Sequence, residues 1–121
     1  MSFIFILFPV LVALEALYIM YLEMFGSIKA QAKAFEIDPK ALIIPEVKTL
    51  LGNQGVYNGL LGLLIIATIL VLPTPYETNL LLLEMAFVLI AAIYGGFTAS
   101  RKIWLVQGLP AVVAILMLLI K

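Results

Sequence analysis

The chain has no cysteine and no histidine. Disulfides, thiolate chemistry, haem held by histidine or cysteine, and zinc sites of the usual ligand types are therefore excluded. No metal site and no cofactor is expected. Charge is also scarce. Charged residues make up 12% of the chain and hydrophobic ones 65%, against about 25% and about 45–50% in soluble domains. Seven acidic and seven basic residues cancel, so no overall charge attracts nucleic acid. A cleavable signal peptide is not expected either. The first apolar stretch lacks a basic n-region, is too long for an h-region, carries Glu15 and Glu23, and has no small-residue cleavage site behind it.

What is present is long apolar runs, with a mean hydropathy of +1.24. These predict a membrane protein of one domain over 1–121. A spanning helix needs about 20 mainly apolar residues. Four segments qualify, at about 2–25, 54–72, 79–100 and 103–120. The expected fold is all-α: a four-helix transmembrane bundle, up-down-up-down, in contact with the lipid bilayer. Pro73–Thr78 reads as a tight turn and Arg101–Lys102 as barely one. The long connection, 26–53, holds an amphipathic segment at about 39–51. Asp38-Pro39 reads there as an N-cap with proline at the first helical position. Pro45 interrupts the segment and Gly52 stops it. It either lies at the membrane interface or is a packed re-entry into the second helix.

Basic residues set the orientation. Lys29, Lys33, Lys40, Lys48, Arg101 and Lys102 fall on one side, and Lys121 alone on the other. The positive-inside rule puts the long loop in the cytosol and both termini outside. Tyr57, Tyr94 and Trp104 near the inner ends, and Tyr76 at the outer end, read as partial interface anchors.

Within the apolar runs, Glu15 stands out. An ionisable side chain at a helix centre costs about 2.5–3.5 kcal/mol on insertion scales. A partner, water or a proton must offset that. At about 1.5 Å of rise per residue, Tyr18, Asn58, Tyr94 and Gln107 each lie about 8–10 Å below the cytosolic edge. Glu15 lies one turn deeper than Tyr18, near the same helix face. These five form the candidate pocket for a substrate or a proton, with Glu23, Asn53, Gln54, Tyr57, Ser100 and Arg101 as its cytosolic rim. The alternative for each is a polar joint between helices, at about 0.6 kcal/mol. Glu84 is set apart near the outer face, where a snorkelling carboxylate is expected. Gly55 and Gly59, with Gly62 nearby, and Gly95 and Gly96 after Ala91 and Ala92, make small-residue faces. Those faces fit tight packing of helices two and three, or a homo-oligomer. Pro110 is expected to kink helix four and free a carbonyl near Gln107.

Four stretches, LEALYIMYLEMF at 14–25, NQGVYNG at 53–59, IYG at 93–95 and SRKIWLVQGLP at 100–110, together resemble the family called domain of unknown function 1304. These are small bacterial membrane proteins with four predicted helices. The resemblance covers almost the whole chain. The family pattern matches Glu15, Tyr18, Glu23, Asn53, Gln54, Gly55, Tyr57, Asn58, Gly59, Tyr94, Gly95, Ser100, Arg101, Lys102, Gln107, Gly108 and Pro110. The family often has a histidine after the glutamate, where this chain has Ala16, which weakens a Glu–His proton relay. The resemblance implies a bacterial inner membrane and candidate residues, and no chemistry.

Three functions fit these residues. The first is small-molecule or proton-coupled transport, in which a membrane glutamate exchanges a proton for a cationic substrate. Length, four helices and Glu15 resemble the small multidrug resistance transporters, and a homo-oligomer is then needed to build a pathway. The second is a glutathione- or lipid-binding enzyme, similar in layout to the membrane-associated eicosanoid and glutathione metabolism proteins. Arg101 is its anion-binding group, but the arginine and glutamate expected on their second helix are replaced by Gln54 and Leu61. The third is an accessory subunit that binds a partner helix through the glycine faces. Of these, the enzyme ranks below transport.

Overall fold

Helix formation follows the apolar runs, and proline and glycine set the ends. The computed structural model describes residues 2–121, and the described residues are helical with no strand. The first helix, α1, spans Phe3–Phe25 and stops where Gly26 turns extended. Ser27 then caps α2, Ile28–Phe35, accepting from the Ala30 N–H at 3.1 Å. Asp38 caps the short α3, Pro39–Leu42, as its Asp-Pro pair predicts. Helix α4 spans Pro45–Val71 and α5 spans Tyr76–Thr98. A π-helical turn, Trp104–Gly108, leads into α6, Leu109–Ile120.

Helices α1, α4 and α5 are long and apolar enough to cross a membrane, whereas the apolar run Trp104–Ile120 is shorter. Helices α1 and α4 pack antiparallel. A Cβ added to Gly55 would meet Met24 and Met20, one on Gly59 would meet Met20, and one on Gly62 would meet Ala13 and Leu17. The α4 glycines thus pack on α1. This corrects the expectation that they join helices two and three or face another copy. The helix-three glycines do not serve that contact either: Gly96 lies under the Trp104 indole and Gly95 beside Ile103. The indole N–H donates to the Ile93 carbonyl at 3.1 Å and its ring meets Phe97 edge-on. A shared core draws Val12 and Ala13 from α1, Ile65 from α4, Leu81, Met85 and Val88 from α5, and Ala111, Ala114 and Leu118 from α6.

Pro45 divides the segment at 39–51, as expected: it occupies the first turn of α4, where its missing N–H costs nothing. Three other local readings change. Helix two starts well before Gln54, and Gly52 lies inside it. One glycine costs a helix only about 1 kcal/mol, too little to stop one of 27 residues. The expected interfacial segment is split between α3 and the first turns of α4. Pro110 is accommodated by the π turn, whose wide register relieves the clash between the proline ring and the carbonyl four residues back.

Helix α2 has no counterpart in the sequence reading. Gln31 on it is buried, and its amide donates to the carbonyls of Leu22 (2.8 Å) and Glu23 (3.3 Å). It thereby satisfies the orphan Glu23 carbonyl at the C-terminus of α1 and adds a second bond to the Leu22 carbonyl, which already accepts from the Gly26 N–H. Past α2, Glu36 takes a left-handed conformation (φ 55°), at a cost of about 1–2 kcal/mol. Its carboxylate accepts from the Ser100 hydroxyl, and the Lys102 ammonium donates to the Lys33 carbonyl at 3.4 Å. The long connection and the α5–α6 connection therefore meet at one end of the molecule. At the Pro73 end, the Lys121 ammonium donates to the Thr78 hydroxyl at 2.6 Å.

Candidate functional site

Two helices turn the same spacing toward one space. Val12, Glu15, Ala16 and Ile19 on α1, and Gln54, Tyr57, Asn58 and Leu61 on α4, each follow i, i+3, i+4, i+7. The space between them is a cavity of about 310 Å³. Phe87, Val88 and Ala91 of α5 and Gln107 of the π turn complete its lining. The glycine stripe of α4 lies beside its polar stripe. Closing the glycines onto α1 brings Gln54 and Asn58 to the edge of that contact.

Glu15 is half-buried in this wall. Among the described residues no hydrogen-bonding side chain offsets its burial, and no basic side chain lines the cavity. Its carboxyl group faces a space that admits water or a ligand. The opening lies along α4 and α5, where Tyr57 and Phe87 line the cavity yet remain exposed. Walls that are largely apolar, with a few convergent polar groups, are the usual make-up of a small-molecule site.

Asn58 lines the cavity but is held elsewhere. Its amide donates to the Glu23 carboxylate at 2.6 Å, and Glu23 is 7% exposed. Glu23 is therefore not a rim residue. Its side chain lies against Gly55 and Asn58 of α4, while α2 folds back over the end of α1 and reaches the Glu23 backbone carbonyl through Gln31; sequence spacing alone carries no sign of that fold-back. Gln31 was missed for the same reason, though the Ser27 cap and the alternating run IKAQAKAF are a legible signal for the helix that carries it.

The structure brings Glu15, Asn58 and Gln107 to the cavity, and adds Gln54 and Tyr57 from the expected rim. It leaves Tyr18 and Tyr94 outside. Both are exposed, at 62% and 71%. Three residues along a helix leave about 60° of rotation, enough to carry Tyr18 off the α1–α4 seam. Tyr94 lies on the edge of α5 that bears Phe87 and Ala91, but beyond the cavity. Asn53 and Arg101 are exposed and line nothing here, and Ser100 is spent on Glu36. Arg101 is thus not placed to bind an anion in the cavity.

Glu84 departs furthest from expectation. It does not snorkel: it is 5% exposed, on the face of α5 that carries the core residues Leu81, Met85 and Val88. Its carboxyl lies 3.0 Å from the Thr68 hydroxyl. Position near a helix end suggests snorkelling, but the rotational phase of α5 points Glu84 at α4.

Comparison with known proteins identifies a family and adds no activity. The chain matches the family described as "Protein of unknown function (DUF1304)" over residues 10–119. It is 40% identical over 117 residues to "Uncharacterized protein YpaA" of Lactococcus lactis subsp. lactis (strain IL1403), covering 96% of this chain and 97% of that one. No solved structure matches it.

Proposed function

The chain belongs to the DUF1304 family of proteins of unknown function, and from that premise we propose that it is an integral membrane protein whose Glu15 cavity binds a small organic cation. In this reading the four apolar helices span a bacterial inner membrane up-down-up-down. The basic end, with Lys29, Lys33, Arg101 and Lys102, lies in the cytosol, and both termini lie outside. Exposed Ile43, Ile44 and Leu50 rest at the interface. A second copy laid along the open α4–α5 side would close the cavity, as a homo-oligomer.

The observation that carries the reading is an unpaired carboxyl in a largely apolar cavity without a basic neighbour. A cation there meets the Glu15 charge, and the Tyr57 and Phe87 rings at the mouth add cation–π attraction. Apolar walls select a cation with an apolar body. Transport follows if Glu15 releases its proton when the cation binds and recovers it when the cation leaves.

The test is tetraphenylphosphonium binding to the purified chain in nanodiscs, by calorimetry. Glu15→Gln keeps the shape and removes the charge. Losing about 1.4 kcal/mol or more of attraction weakens binding at least about tenfold. Equal binding by wild type and variant, or no binding by wild type, sinks the proposal. Proton release measured in the same titration separates exchange from simple binding.

A further inference from the structure

The Pro73 half of the molecule contains two acidic side chains that the Glu15 cavity does not use. Glu77 and Glu84 are seven residues apart on one face of α5, two helical turns along. They are 6% and 5% exposed. Each has a buried carboxyl oxygen, Oε1, without a hydrogen-bond partner. Glu84 is buried on the face of α5 that carries the core residues Leu81, Met85 and Val88, and Thr68 of α4 meets its carboxyl group. The charge on α6, Lys121, is engaged with Thr78. Among the described residues no cationic group offsets the Glu84 carboxyl.

Thr68 decides the proton count. Its hydroxyl oxygen lies 2.9 Å from the Leu64 carbonyl and 3.0 Å from Glu84 Oε2. A threonine hydroxyl has one proton and two acceptor lone pairs, and the carbonyl can only accept. With the hydroxyl proton on Leu64, the short contact to Glu84 requires a proton from Glu84. The reverse arrangement gives the hydroxyl to an ionised Glu84. It leaves a full negative charge in an apolar core with one oxygen orphaned, which is the costly way to bury a carboxyl group.

We propose that Glu84 is a proton-binding site: a neutral carboxylic acid whose Oε2–H donates to Thr68, with Glu77 as its route to the surface at the Pro73 end. The site is independent of the Glu15 cavity and of what that cavity binds. Its ligand is a proton, and a bound alkali cation is the competing occupant.

The test is infrared spectroscopy of the full chain in liposomes at neutral pH, in the carbonyl-stretch region of protonated carboxyl groups. A band is expected in wild type, reduced in Glu84→Gln and unchanged at that position in Glu15→Gln. Thr68→Val keeps the shape and removes the acceptor, so it moves the band to higher frequency even if Glu84→Gln folds poorly. After transfer to deuterated buffer, the Glu84 part of the band shifts more slowly in Glu77→Gln than in wild type. No protonated band in wild type, or one indifferent to both Glu84→Gln and Thr68→Val, overturns the proton site. A sodium-dependent rise in melting temperature that Glu84→Gln abolishes overturns it in favour of a cation. An unchanged exchange rate in Glu77→Gln overturns the route.

Discussion

Gly62→Ala tests the contact on which the cavity depends. A Cβ at position 62 would lie 2.8 Å from the carbonyl oxygen of Ala13 and 3.0 Å from Leu17 Cγ. The carbonyl belongs to the backbone of α1, so relief requires the two helices to part. Overpacking of this kind costs about 1–3 kcal/mol. Two other glycines of α4 calibrate it. At Gly59 the nearest atom, 2.5 Å away, is the sulfur of Met20, the end of a flexible side chain. That neighbour can swing aside, so the cost there is smaller, below about 1 kcal/mol. At Gly52 nothing lies within 4 Å, and alanine there is neutral or stabilising by up to about 1 kcal/mol. The assay is reversible unfolding of the three variants in mixed micelles titrated with sodium dodecyl sulfate. Helices persist in that denaturant, so the packing cost is read largely free of helix propensity. The expected order of stability is Gly52→Ala above Gly59→Ala above Gly62→Ala. If Gly62→Ala is as stable as Gly52→Ala, α4 does not close on α1 through this face, and the cavity wall is misplaced. A fall in oligomer size without loss of protomer stability instead assigns the glycines to an interface between copies.

The remaining outcomes follow from single contacts. Asn58→Leu leaves the Glu23 carboxylate without its 2.6 Å donor and destabilises by about 1–3 kcal/mol, measured in the same titration. Restoring a donor with Asn58→Gln recovers part of that, whereas Asn58→Leu at wild-type stability contradicts the bond. Gly96→Ala forces the Trp104 indole off α5. Because Trp104 is the one tryptophan of the chain, the shift reads directly as a changed emission maximum, and an unchanged spectrum refutes the packing. Glu15→Gln weakens tetraphenylphosphonium binding about tenfold or more and leaves the Asn58–Glu23 pair in place.

Composition and spacing determined a great deal here. Apolar runs marked the long helices, because a run of that length must be buried or sit in lipid. Asp38-Pro39 marked a helix start, because a capping carboxylate and a fixed φ act within a few residues. Helical rise placed Asn58 and Gln107 at similar depth and Glu15 one turn deeper, because rise depends only on residue number. Rotation and fold-back were decided by the tertiary structure. Which way Tyr18 or Glu84 faces depends on where neighbouring helices lie, and about 60° of phase moves a residue from a seam to the lipid side. Depth alone therefore admitted Tyr18 and Tyr94 to a site they do not line, and sent Glu84 outward when α5 turns it in. The glycines were legible as a close-approach face, but its partner, α1, was not, since any helix accepts a glycine stripe. Glu23 and Gln31 show the same limit: the Glu23 side chain is buried against α4 and Gln31 against the end of α1, contacts between segments that no local pattern encodes. The sequence named the polar groups, and packing chose which of them meet.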